Sequence, residues 1–406
     1  MKPLKSPIAL GIVGCGVMGR RHVLGLKELK ERGLKVFELE ALCDLDVRRA
    51  EELALVCESH LGRRPKVFSD YEKMLSEFPR LEAIDIVTSP KTHHSLATLA
   101  FKAGLDVIVE KPIALTIRAA RLMVEEAHSK GRILAVAENY RRDPQNRLVK
   151  AVIESGILGK PYLVIQQSFG GGNQILITPW RHLKNEGGIL IDMGVHYADL
   201  LRYLIGEVEE VYGFIALKET ERVRREGSLI VERVQATAED TALGILRFEG
   251  GAFGQWTEVH GAWGEALWQR FIFCDKGSLK APPDRSGKPL EARGTRGSIE
   301  NDALMNIADK ALDEITRKLF PGYRLSYDMP FEQIDRKLIA IELYDFAESI
   351  RYRRRPEVDG LEGLKDLALS YALCEAAISR RPVAPREVEE GLVEAYQESI
   401  NKALGL

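Results

Sequence analysis

Three short stretches of this sequence hold side chains whose types and spacing suit phosphate binding and proton transfer. Gly14-Cys15-Gly16-Val17-Met18-Gly19 is a G-x-G-x-x-G run that follows a strand-like segment, Ile8–Val13, and opens a helix-like one. The first glycine makes a tight turn, the second admits a pyrophosphate to the backbone, and the third lets helix and strand pack closely, so the run points to a dinucleotide. Asp44 ends the next strand-like segment, where an acidic side chain accepts hydrogen bonds from an adenosine ribose and repels a 2′-phosphate. NAD is therefore favoured, with NADP left open because Asp46, Arg48 and Arg49 lie close by. A plain helix cap is the alternative role for Asp44.

Glu110-Lys111-Pro112 ends a later strand of the same pattern. Strand C-termini in a doubly wound sheet face the ligand crevice, so Lys111 points at whatever the dinucleotide reacts with. Beside a cationic nicotinamide in a partly desolvated cleft, a lysine has a lowered pKa and can bind, or exchange a proton with, a hydroxyl. Without that placement, a lone lysine is a solvent-facing charge. The third stretch is Asp192-Met-Gly194-Val-His196-Tyr-Ala-Asp199. On a helix these three polar residues share a face at i, i+4 and i+3 spacing, and a carboxylate beside an imidazole orients the ring and favours its protonation. That arrangement suits a proton acceptor for an alcohol. A satisfied histidine in a packing helix fits the segment equally well.

Elements that could hold these groups follow from periodicity. Apolar runs at Ile8–Val13, Glu38–Cys43, Ala83–Thr88, Asp106–Glu110 and Ile133–Ala137 alternate with helical spacing at Arg20–Arg32, Val47–Leu61, His94–Ala103 and Thr116–Lys130. Thr116 reads as an N-cap and Gly131 as a helix stop. This alternation predicts an α/β fold whose N-terminal part is a Rossmann-type, doubly wound parallel sheet. Strands at Tyr162–Phe169, Val208–Ala216, Ala242–Phe248 and Phe253–His260, with a Glu249-Gly250-Gly251 turn, predict a C-terminal α+β part on a large open antiparallel sheet. Pro282–Gly297 reads as a loop and Glu300–Leu319 as one helix; further helices are expected at Leu338–Arg351, Gly363–Arg380 and Arg386–Ala403. The expected division is a dinucleotide-binding domain over 1–140, a substrate-binding and oligomerisation domain over 141–385 with an atypical insertion at about 282–327, and a helical tail over 386–406.

The chain has 406 residues, 45% of them hydrophobic and 29% charged, which is ample for two cores and excludes wholesale disorder. With 58 basic against 60 acidic residues interleaved along the chain, nothing forms a nucleic-acid footprint. Five scattered cysteines without a C-x-x-C pair argue against a disulfide framework or a metal site and fit a reducing compartment. No uncharged apolar run is long enough to span a bilayer. Lys2 and Lys5 before an apolar run imitate an export signal, but the run is short and cleavage near Cys15 would destroy the glycine motif, so a cytoplasmic location is expected.

In this order, Gly11-Ile-Val-Gly-Cys-Gly-Val-Met-Gly-Arg-Arg-His22, Cys43-Asp44, Thr88-Ser-Pro-Lys-Thr-His93, Glu110-Lys111-Pro112, Asn139-Tyr-Arg141-Arg-Asp-Pro144, Trp180-Arg181 and Asp192-x-Gly194-x-His196-x-x-Asp199 resemble the glucose-fructose oxidoreductase, inositol dehydrogenase and rhizopine-catabolism (Gfo/Idh/MocA) family. The resemblance runs over about 7–270 and 330–385. It implies NAD(P)-dependent oxidation of a sugar, sugar derivative or cyclitol, with Lys111, Asp192 and His196 as the catalytic group. It further implies that Gly14, Cys15, Gly16, Val17, Met18, Asp44, Thr88, Ser89, His93, Glu110, Lys111, Asn139, Trp180 and Arg181 line the cofactor. Arg141, Trp180, Lys111, Asp192 and His196 would approach the substrate, with Tyr197 a further candidate. Thr88-Ser89-Pro90 departs from the family's usual Thr-Pro, and 282–327 matches nothing in its pattern, which leaves a lid or an oligomer contact open there. Two other readings share these parts: glycoside cleavage through transient oxidation and elimination, and a non-enzymatic dinucleotide-sensing regulator. A large open sheet favours a homodimer or homotetramer.

Overall fold

The five amino-terminal apolar runs and a short strand they do not include, Lys66–Phe68, form six parallel strands in the computed structural model, which describes residues 6–406 and so leaves Lys2 and Lys5 outside. They are β1 (Ile8–Val13), β2 (Phe37–Cys43), β3 (Lys66–Phe68), β4 (Ala83–Ile86), β5 (Asp106–Glu110) and β6 (Leu134–Ala137), in the order β3-β2-β1-β4-β5-β6. Leu10, Ile12, Ile84 and Val107 are fully buried because helices cover both faces of the sheet. Those helices are α1 (Val17–Glu31), α2 (Val47–Leu61), α3 (Tyr71–Glu77), α4 (Pro90–Lys102) and α5 (Ile117–Ser129). The order reverses between β1 and β4, and at such a switch point a crevice opens outside the strand C-termini. Gly14, Thr88, Lys111 and Glu138 all follow strand ends on that side.

Local chemistry sets the helix starts. Thr116 accepts the Ala119 N–H, as its sequence position suggests. Asp46, not Asp44, caps α2 through the Arg48 N–H, so the capping alternative for Asp44 falls away. α1 begins at Gly16 without a side-chain cap, which leaves its first turn facing the crevice.

The second half turns through α6 (Pro144–Glu154) onto an eight-stranded sheet. Its strands are β7 (Pro161–Gly171), β8 (Val208–Ala216), β11 (Thr241–Phe248), β12 (Phe253–Ala262), β13 (Leu267–Cys274), β14 (Gly277–Ala281), β15 (Glu291–Gly294) and β16 (Gly297–Ser298), while β9 (Glu221–Glu226) and β10 (Leu229–Gln235) pair as a separate ribbon. The large sheet is mixed rather than wholly antiparallel, because β7 runs parallel to β12 at its centre. On β11 the burial alternates: Ala242, Leu246 and Phe248 face α7 (Ile189–Ile205) and the later helices, while Leu243 and Ile245 are exposed.

The expected loop at Pro282–Gly297 contains β15, and the expected single helix at Glu300–Leu319 is α8 (Asn301–Ala311) and α9 (Glu314–Leu319), separated where Asp313 caps the second. α10 (Phe331–Tyr352) crosses back and packs on α1, and the Val136 N–H donates to the Val358 carbonyl just before α11 (Gly360–Ser379). The tail is two short helices, α12 (Pro385–Glu389) and α13 (Glu398–Leu404), since the chain turns out of the first at Gly391 in the left-handed region. Among the described residues no helix is long and apolar enough to cross a membrane.

The glycine loop has no room for side chains at two positions. A Cβ at Gly19 would lie 2.2 Å from the Gly14 carbonyl oxygen, and Gly14 itself has φ +100° with the Val87 carbonyl 2.7 Å from where its Cβ would be. Gly19→Ala is expected to cost about 1–3 kcal/mol of stability by forcing strand and helix apart. It should also weaken dinucleotide binding. Thermal unfolding and a fluorescence titration with NADH read the two effects, and a variant unchanged in both would contradict the fit.

Candidate active site

The site forms where the end of β5 meets the first turn of α7. The Lys111 Nζ donates to the Asp192 carbonyl oxygen at 2.8 Å and to Asp192 Oδ1 at 3.0 Å. Arg181 Nε donates to Asp192 Oδ2 at 2.7 Å, and its guanidinium lies 4.3 Å from the Trp180 ring centroid. Burial alone would raise the Asp192 carboxyl, but the two cations, Lys111 foremost, hold it at about 2. Asp192 is thus an anion at any ordinary pH and locks Lys111 at the crevice.

His196 lies one turn further along α7, and its carboxylate partner is not the one that helical spacing suggests. Asp192 is taken up by Lys111 and Arg181; the imidazole Nδ1 instead meets Glu138 Oε1 and Oε2 at 2.8 and 2.7 Å. Glu138 follows β6 directly and also accepts the Tyr140 N–H at 2.8 Å. The Tyr140 ring stacks on the imidazole with centroids 3.8 Å apart and planes 9° from parallel. Burial pushes the Glu138 carboxyl up to about 7. Burial, then the Lys111 and Arg285 charges, push His196 well below its ordinary value, so the ring is neutral. With Glu138 ionised, Nδ1–H donates to it and Nε2 is left as an acceptor. With Glu138 protonated, the carboxyl donates to Nδ1 and Nε2 carries the hydrogen.

Asp199, the third polar residue of that helix face, is committed elsewhere. Its oxygens accept Arg141 Nε at 2.8 and 3.0 Å, and both side chains are buried. The Arg141 guanidinium, expected near the substrate, is therefore held in an internal ion pair and lies 5.1 Å from the Tyr203 ring centroid. Tyr197 is likewise buried.

Around the glycine loop, Asp44 Oδ2 accepts the Cys15 N–H at 2.7 Å and Oδ1 accepts the Asp46 N–H at 2.9 Å, which ties the end of β2 to the loop. Thr88 Oγ1 and Thr92 Oγ1 are 2.8 Å apart, and Ser89 precedes α4 as its N-cap residue. His93 is fully buried and joins the Pro112 and Thr88 carbonyls, so it braces the β4 and β5 loops from behind. Glu110 turns inward to His22 Nε2 at 3.1 Å, and His22 Nδ1 meets Asp85 Oδ2 at 2.8 Å. Burial would lower His22, but Asp85 and then Glu110 raise it well above its ordinary value, giving a buried cation between two carboxylates.

Sequence reasoning did not single out Glu138, Tyr140 or Asp85. The strand-end argument that selects Lys111 also reaches Glu138, one residue past β6; the pairing itself depends on where α7 lands. A dinucleotide fits these residues. The space around a Gly16 Cβ is open, the uncapped start of α1 supplies backbone N–H groups for a pyrophosphate, and the buried Asn139 Oδ1 has no hydrogen-bond partner among the described residues.

Comparison with known proteins places the whole chain. A family model described as an oxidoreductase family with an NAD-binding Rossmann fold matches residues 8–138, and the GFO/IDH/MocA C-terminal domain matches residues 146–280. Myo-inositol 2-dehydrogenase of Thermotoga maritima is 26% identical over 93% of this chain and 99% of its own length. D-apiose dehydrogenase of Paraburkholderia graminis is 27% identical over 93% of this chain and 90% of its own. The fold is shared with levoglucosan dehydrogenase in complex with NADH, at a TM-score of 0.76 and 21% identity over 93% of this chain and 99% of that one. The chain belongs to the Gfo/Idh/MocA family of NAD-binding oxidoreductases.

Proposed function

We propose that this protein reversibly oxidises a secondary hydroxyl of a sugar, sugar derivative or cyclitol. The observation that carries this reading is the convergence of Lys111, held by Asp192, and His196, backed by Glu138, beside the crevice at the glycine loop. The inositol and apiose dehydrogenases among its relatives favour a polyhydroxylated substrate. NAD, when bound, supplies the hydride acceptor.

The side chains divide the remaining work. His196 Nε2 accepts the hydroxyl proton, since Glu138 holds Nδ1–H on the far side of the ring. Lys111 donates to the same oxygen as negative charge develops there, and Asp192 keeps its ammonium in place. Arg181 shares Asp192, so the carboxylate does not draw the lysine fully away from the crevice. The division of the chain near residue 140 then separates Lys111 and Glu138 from Asp192 and His196, and the site exists only when both parts are packed together. The outward face of the large sheet, where Phe214 and Ile245 are about two-thirds exposed beside Leu243 and Phe253, is read as the surface that joins copies of the chain. A cytoplasmic location fits the five free cysteines.

Five outcomes test this proposal. A screen of sugars, sugar acids and inositols with NAD and NADP, read by nicotinamide absorbance, should find a substrate, with NAD preferred. Lys111→Met and His196→Asn should each lower kcat by about 10²–10⁴-fold while NADH affinity changes little; full turnover in both would sink the assignment. The rate of alcohol oxidation should fall below a midpoint of about 7, because protonated Glu138 puts the hydrogen on Nε2. In Glu138→Gln that acidic limb should vanish. Finally, Phe214→Asp with Ile245→Asp should shift the species seen by light scattering toward monomer, and an unchanged mass would exclude this face as the contact.

A further inference from the structure

The catalytic reading makes no use of the segment between β14 and β15, which lies beyond the part matched by the family's C-terminal domain, ending at residue 280. That segment is not peripheral. Asp284 takes Arg270 Nη1 and Nη2 at 2.9 and 3.0 Å and the Asn146 amide at 3.0 Å. The Gln145 amide donates to the Lys288 and Leu325 carbonyls at 2.7 and 2.9 Å, and Asp143 accepts both the Arg285 N–H and the Tyr327 hydroxyl at 2.8 Å. The insertion is thus bound to residues 143–146, directly after Tyr140.

These anchors carry Arg285, at a left-handed φ of 58°, into the site. Its Cζ lies 4.6 Å from the Tyr140 ring centroid, Nη2 donates to the Tyr140 hydroxyl at 3.0 Å, and Nη1 donates to Asp335 Oδ1 at 3.2 Å. The imidazole of His196 already covers one face of Tyr140 at stacking distance, which leaves the opposite face for the guanidinium. Asp335 is shared with Arg21, whose Nε donates to it at 2.5 Å, so one carboxylate serves two guanidiniums, and Asp284 and Asp143 are the other acidic groups acting on Arg285.

We propose that Arg285 is a positioning residue for His196: it clamps Tyr140 against the imidazole and sets a cation behind the ring. The inference rests on the reading of His196 as the proton acceptor. Glu138 after β6 is in contact with the imidazole, Asp192 on α7 and Glu110 at the end of β5 are the further acidic groups that act on it, Lys111 and Arg285 are the cations, and Tyr140 is the stacked neutral group. Glu138 fixes which nitrogen is free, and the two cations disfavour a second proton on it. Lys111 belongs to the shared machinery of the site. Arg285 comes from the insertion and adds a charge that the matched domains do not supply.

The test needs no substrate. In full-length protein labelled with ¹⁵N-histidine, NMR gives the protonation midpoint of His196, identified by the resonance lost in His196→Asn. Arg285→Gln should raise that midpoint by about one pH unit, a tenfold change, and Arg285→Lys should stay close to wild type. Tyr140→Phe, which removes only the hydroxyl bound to Nη2, should give a smaller rise in the same direction. A wild-type ring neutral down to about pH 5 with a titrating ring in Arg285→Gln is the same positive result. Equal midpoints in wild type, Arg285→Gln and Tyr140→Phe, each still binding NADH, overturn the proposal; if Arg285→Gln does not fold, Tyr140→Phe against wild type decides. A shifted midpoint in a protein that oxidises no sugar or cyclitol defeats the dehydrogenase reading alone, while an unmoved midpoint in an active enzyme defeats this inference alone.

Discussion

The ion pair between Lys111 and Asp192 is the contact on which the rest of the site depends. It joins the end of β5 to the first turn of α7, and so sets the parallel sheet against the helix that lies on the large mixed sheet. A buried carboxylate is costly unless it is paired and hydrogen-bonded, and Asp192 meets that requirement only with Lys111 on one oxygen and Arg181 on the other. Satisfying it fixes α7 in rotation and height. One turn later, the same helix then delivers His196 to Glu138 and Tyr140.

Different physics governs the two halves of the chemistry. Asp192 is held ionised by two cations in contact with it, whereas Glu138 is pushed up by burial to about 7. The two carboxyls therefore respond to pH in separate ranges, one as a fixed anchor and the other as a group that titrates near neutrality. Beneath them, His22 is a third case: a buried imidazole kept cationic between Asp85 and Glu110. It holds Glu110 inward and leaves Lys111, the next residue, to turn outward into the crevice.

Much of this was legible from residue patterns because the relevant rules are local. Lys111 follows from strand-end placement, Asp192 and His196 from helical spacing, and α2 and β8 appear with the expected bounds. What was not legible depends on contacts distant in sequence. Asp192 and His196 do share a helix, yet their partners come from β5, β6 and the Trp180-Arg181 turn, and spacing alone pairs them wrongly with each other. Arg141, expected to approach the substrate, is instead paired with Asp199, a partner 58 residues away in the chain. The Pro- and Gly-rich stretch after residue 282 reads as a loop, although Glu291–Gly294 finds a strand partner in β14 and Arg285 reaches the Tyr140 ring that stacks on His196. The helix expected over 386–403 breaks where Gly391 takes a left-handed conformation, which a periodicity count does not register.

The central claim is that one substrate hydroxyl is gripped from both sides of the crevice, by a lysine of the parallel sheet and a histidine of the helix facing it. A crystal structure with NADH and an oxidisable polyol measures this most directly. The account predicts a single hydroxyl oxygen within about 2.6–3.2 Å of both Lys111 Nζ and His196 Nε2, with Glu138 still on Nδ1. A polyol whose nearest hydroxyl to the nicotinamide contacts neither side chain would contradict it.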